Sequence, residues 1–108
     1  MTKLEKTIEA LWEREKEFEA ATLALPEAEH RYKVAEKVEY LKAEGSIPQR
    51  EAIAKEKVSD LYIDYLKADA RATIAKAKLE DARSVLSARQ TIESNQYKSN
   101  VIISKNQI

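Results

Sequence analysis

Cysteine is absent from the chain, so no disulfide framework, thiol nucleophile or thiolate metal site is available. Glycine occurs once and proline twice in 108 residues. A compact β or α/β domain of this size needs many more turn residues, so that scarcity argues against both classes. A single glycine also excludes a Gly-rich phosphate loop. No run of about 18 apolar residues occurs, which excludes a membrane-spanning helix. The opening MTKLEKTIEALWEREK is charged from its third residue and does not read as a signal peptide. Together these absences predict a soluble cytoplasmic protein. Neither sign of charge dominates, with 19 basic and 19 acidic residues. That balance rules out a strongly acidic nucleic-acid mimic and a strongly basic nucleic-acid coat.

What is abundant is Ala, Glu, Lys, Leu and Arg, the composition of long helices and coiled coils. At 35% charged and 44% hydrophobic residues the chain is too apolar for simple disorder. It can bury a stripe but hardly a large globular core. The charges are unevenly spread: the stretch from Arg71 to the end carries 7 basic against 3 acidic residues. A mildly basic end of this kind serves either packing against an acidic half or contact with a polyanion.

The apolar spacing predicts an all-α fold, a long antiparallel coiled-coil-like hairpin over 1–95 with a helix at 2–44, a turn at 45–47 and a helix at 48–95. In the first helix Leu4, Leu11, Phe18, Leu25 and Tyr32 recur every seven residues, with Ala21, Ala28 and Ala35 three positions on. That is a coiled-coil seam whose small residues let another helix approach closely. Past Tyr32 the apolar face drifts to Val34, Val38 and Leu41. Pro26 lies inside this pattern, and two outcomes are open: a kink near Thr22–Leu25, or two helices with Pro26 in the first turn of the second. The seven-residue step passes through the proline without an insertion, which favours a kinked, nearly continuous helix. Gly45 suits the end of that helix, and Ser46 with Gln49 reads as a capping box with Pro48 in the first turn of the next.

In the second helix Leu61, Tyr65, Ala68, Ala72, Ala75, Leu79, Ala82 and Leu86 alternate in steps of four and three, forming the facing seam. Ile63, Leu66, Ala70, Ile74 and Ala77 form a second apolar stripe on another face. One stripe closes the hairpin, and the other is left for a copy of the chain or another protein, so an oligomeric bundle or ring is expected. Residues 96–108 read as a C-terminal tail, turn-like at Gln96–Asn100 and strand-prone at Val101–Ser104. The tail is either disordered or a peptide that docks by strand addition.

Catalysis needs a nucleophile with a base, a matched acid and base, or a metal. The sole histidine, His30, belongs to Glu27-Ala28-Glu29-His30, which contains half of a four-helix carboxylate metal site. The chain holds no second half, which only a symmetric oligomer could supply, so His30 reads first as an ordinary polar-face histidine, with no metal or cofactor expected. Glu5, Glu9, Glu13 and Glu17, four residues apart, read as the patterned charge of a solvated face. The chain is therefore expected not to be an enzyme. Lys76, Lys78, Arg83, Arg89 and Lys98, with Tyr97 beside them, are the candidate nucleic-acid contacts. Lys and Arg neutralise phosphates and an aromatic ring stacks a base of a single strand. The same cations are also favoured simply by a helix C-terminus.

The order of features from about residue 28 to residue 99 resembles that of the UvsY-type recombination mediators of tailed phages. One helix ends in Tyr40-Leu41-Lys42-Ala43-Glu44-Gly45. The next carries Tyr62-Ile63-Asp64-Tyr65-Leu66-Lys67-Ala68 and finishes in the mixed basic and apolar stretch from Leu79 to Arg89. The resemblance implies an oligomeric accessory protein of a bacterial host's cytoplasm that binds single-stranded DNA and helps load a recombinase. Pro26, the zero net charge and the Val101–Ile103 segment have no counterpart in that pattern. The competing expectation is a protein–protein module, such as a viral inhibitor or adaptor of a host protein, that uses the second stripe or the tail.

Overall fold

The computed structural model describes the backbone of residues 2–106 and the side chains of residues 2–100. Three helices account for nearly all of it: α1 (Lys3–Lys42), α2 (Ile47–Lys57) and α3 (Ser59–Asn106). No strand occurs among the described residues. The chain divides into two compact units, a central one of Glu17–Ala75 and a terminal one that joins Met1–Lys16 to Lys76–Ile108.

In the central unit the chain reverses at a turn whose chemistry is local. Gly45 has φ +113°, a conformation that L side chains rarely adopt. Ser46 caps α2: its Oγ accepts the Gln49 N–H at 3.4 Å, and the Gln49 Oε1 accepts the Ser46 N–H at 2.9 Å. This is the predicted capping box, and it satisfies donors that every helix start leaves free. A Cβ on Gly45 would lie 2.5 Å from that same Gln49 oxygen, so the glycine serves both the backbone and the cap. The helix before it stops at Lys42, two residues earlier than the seam suggests.

Across the turn, contacts run antiparallel. Arg50 reaches back to Tyr40, Lys57 to Glu39 at 3.6 Å, and Tyr62 and Tyr65 to Tyr32. The central unit is thus a helical hairpin. Its fully buried residues are Ala54, Val58, Ala68 and Ala75, three of them alanines. Small side chains on this seam let two helix backbones approach closely, while each contributes little apolar area. Pro26 lies within α1 without ending it, although its missing N–H leaves the Thr22 carbonyl without a helical donor.

Among the described residues of the terminal unit Leu79 is the buried one, and Leu4, Leu11, Ala82 and Leu86 are half-buried along the same seam. All the predicted seam positions in both units are buried or half-buried.

Two expectations are corrected. The helix predicted at 48–95 is interrupted at Val58, which has φ −103° and ψ 13°. Its ψ is well short of the helical value, yet helical hydrogen bonds persist on both sides, Val58 N–H to Ala54 O and Tyr62 N–H to Val58 O. The joint contains neither glycine nor proline, and Val58 itself is buried at 3% exposure. Second, the helix does not stop near residue 95: the turn-like segment at 96–100 and the strand-prone one at 101–104 are both helical, through Asn106. An isolated strand has no ladder to join, whereas extending an existing helix adds a hydrogen bond per residue. The β-branched residues lower that gain by only a few tenths of a kcal/mol each, ~0.7 at most. The side chains of 101–106 and all of 107–108, on which a docking peptide would depend, lie outside the described residues.

Candidate nucleic-acid and partner interface

Helical phase sorts the five predicted cations of the terminal unit into two groups. At about 100° per residue, Lys76 and Arg83 share one line along α3, and Lys98 lies within about 40° of it. Tyr97 stands about 60° from that line and is 71% exposed. Lys78 and Arg89 fall about 140–160° away, across the seam formed by Leu79, Ala82 and Leu86. The sequence therefore places all five on one stretch, but the helix puts only three of them on one flank, spread over about 33 Å of its length, with the tyrosine next to Lys98. Among the described residues none of the five makes an ion pair. Four are exposed, and Arg89 is half-buried. By composition the terminal unit holds ten basic and seven acidic residues, whereas the central one holds nine and twelve.

Lys3 and Lys6, which no local pattern singles out, line one pocket together with Arg89. Their partner is more than eighty residues away in sequence, so only the folded pairing of α1 with α3 reveals the group.

In the central unit the second stripe is uncovered. Ile63, Leu66 and Ile74 are 47%, 45% and 54% exposed, and Ala70 between them is exposed too. Ala77, the last predicted member, is exposed in the terminal unit. On α1, Val34, Val38 and Leu41 are likewise exposed. Beside them a cleft of about 490 Å3 opens between α1 and α2, lined by Lys33, Lys37, Tyr40, Leu41, Glu51 and Ala54 among others. The sequence does not signal this cleft, because the break between α2 and α3 is itself unmarked.

The central unit also contains a polar clamp that the heptad pattern does not reveal. The Arg50 guanidinium donates two hydrogen bonds to the Tyr40 carbonyl, at 3.3 and 3.2 Å, and lies 4.4 Å from the Tyr40 ring centroid. Hydrogen bonding and cation–π attraction therefore act on one contact that ties α2 to the end of α1. Further along, Tyr32, Tyr62 and Tyr65 form a three-ring cluster, with Tyr32 stacked on Tyr65 at 5.9 Å and tilted against Tyr62 at 5.1 Å. The Tyr32 hydroxyl donates to the Glu36 carboxylate, and that bond, with partial burial and the carboxylate's charge, raises its pKa. Lys33 is raised by its 2.6 Å bond to Glu29.

That bond occupies one oxygen of a carboxylate adjacent to His30 in sequence, and His30 itself is exposed. Among the described residues no group of three or more His, Asp or Glu converges on a point that could hold a metal ion. Glu5, Glu9, Glu13 and Glu17 are all exposed, and Glu13 pairs with Lys16 at 3.6 Å. Among the described residues no helix is long and apolar enough to cross a membrane. No protein-family model matches the chain, and neither does a curated protein or a solved structure.

Proposed function

We propose that this chain is a non-enzymatic helical accessory protein that self-associates and binds single-stranded DNA in recombination or replication. The observation that carries the reading is the flank of α3 on which Lys76, Arg83 and Lys98, exposed and without an ion pair among the described residues, are spread over about 33 Å of helix, with the exposed ring of Tyr97 next to Lys98. Cations neutralise phosphates in any sequence, and an exposed aromatic gives a base a surface to stack on. The basic excess of the terminal unit supports the same reading, and so does the resemblance to UvsY-type mediators. Self-association rests on the uncovered stripe of Ile63, Leu66, Ala70 and Ile74, which is apolar, exposed and helically spaced. Several copies in one assembly multiply a modest basic flank through avidity.

Titration of a labelled single-stranded oligonucleotide at rising salt tests it. With three phosphates neutralised per chain, the logarithm of affinity falls with a slope of about −2 against the logarithm of salt. Lys76→Gln with Arg83→Gln flattens that slope, while the folded content stays the same. Absence of binding at low salt overturns the reading.

A second reading draws on the same stripe: a protein–protein module whose partner is another helical protein. Replacing Ile63, Leu66 and Ile74 with polar residues separates the two readings. On the first, the assembly falls apart and oligonucleotide binding weakens through lost avidity. On the second, DNA plays no part and capture of the partner is lost.

A further inference from the structure

Arg89 has surroundings unlike those of Lys76 and Arg83. It lines a pocket of about 260 Å3 within the terminal unit, together with Lys3, Lys6 and Thr7 of α1 and an apolar wall that includes Ala82 and Val85. Three cations line this pocket, and no carboxylate does. Among the described residues, none of the three makes an ion pair. Like charges gathered around one concavity raise its potential, and an anion entering it relieves their repulsion. The neighbouring polar groups are already engaged. The Thr7 hydroxyl donates to the Lys3 carbonyl at 2.8 Å, and Thr2 Oγ1 accepts the Glu5 N–H at 3.1 Å. Recognition here rests on side-chain charge.

We propose that this pocket seats a phosphate group of the nucleic-acid strand, a second contact point on the flank of α3 opposite Lys76 and Arg83. The proposal rests on the single-stranded DNA reading and adds a consequence to it. Because the cations come from both α1 and α3, the pocket exists only while the start of α1 is packed on α3. A strand that fills it stabilises that pairing by mass action. DNA binding and closure of the terminal unit are thereby coupled.

The test is the salt dependence of oligonucleotide binding by the full chain, compared with its Lys3→Gln/Lys6→Gln variant and, separately, with Arg89→Gln. Lys3 and Lys6 are exposed, so the double variant keeps its helical circular dichroism. The expected result is weaker binding to every sequence alike, with the salt slope shallower by about 0.7 in each variant. Bound oligonucleotide also slows amide exchange in the first turns of α1 in the wild-type chain, and not in the double variant. If the wild-type chain binds while the variants keep its slope and its exchange pattern, the pocket is overturned and the wider reading stands. If the wild-type chain binds no oligonucleotide at low salt, both fall together.

Discussion

The two units of this chain share the helices α1 and α3, with α2 in the central one alone, and they differ in what holds them and in what they leave free. The central unit has the turn, the Arg50–Tyr40 clamp, the three-tyrosine cluster and, among the described residues, four of the five buried ones. The terminal unit has one fully buried residue, Leu79, and no ring contact or clamp of this kind among the described residues. Charge divides the other way, with an excess of three basic residues in the terminal unit and three acidic residues in the central one. Ring contacts and the clamp gather where the chain reverses, and the basic excess lies where it does not. Low local stability is what a binding segment that closes on its ligand needs.

That contrast can be broken most sharply at Leu79. Leu79→Ala removes a side chain only 3% exposed and is expected to cost about 3 kcal/mol. Hydrogen exchange should report the loss in residues 3–16 and 76–100, leaving the tyrosine cluster protected. Equal loss in both units would mean that they unfold as one.

Gly45→Ala strikes the other unit. It forces a side chain into a φ of +113° and against the Gln49 oxygen that closes the capping box. The expected cost is about 2 kcal/mol, from backbone strain and a weakened cap together. Thermal unfolding measures it, and a change below about 0.5 kcal/mol would show that the turn is not what secures the central hairpin.

The smallest effect is alkaline. The folded pKa values of Tyr32 and Lys33 are raised from ordinary values of 10.0 and 10.5. A raised pKa contributes stability that is fully present below the unfolded value and is lost as pH rises through the folded one. The melting temperature should therefore hold steady to about pH 10 and fall above it. Tyr32→Phe should blunt the fall.

Much of this fold was legible in the sequence, for identifiable reasons. Leu4, Leu11, Phe18, Leu25 and Tyr32 mark one seam, and Leu61 to Leu86 the other, because a repeat of about 3.5 residues can serve only one helical face. Gly45, Ser46 and Gln49 mark the turn because capping chemistry is local. The joint at Val58 was hidden, since neither glycine nor proline signals it. The helix beyond residue 95 was hidden too, because strand propensity there yields to continuation of a formed helix. At the candidate site, the cations of α3 were visible as a run, and helical phase divides them. Lys3 and Lys6 were not visible at all, because what gathers them with Arg89 is tertiary pairing.

The central claim is an assembly that joins through α3 and carries single-stranded DNA on its basic units. Light scattering of the purified chain, with and without a single-stranded oligonucleotide at low salt, tests it most directly. The protein alone is expected to have a mass at least twice 12.3 kDa. Adding oligonucleotide should raise that mass, and high salt should reverse the rise. A 12.3 kDa monomer that the oligonucleotide leaves unchanged would contradict it.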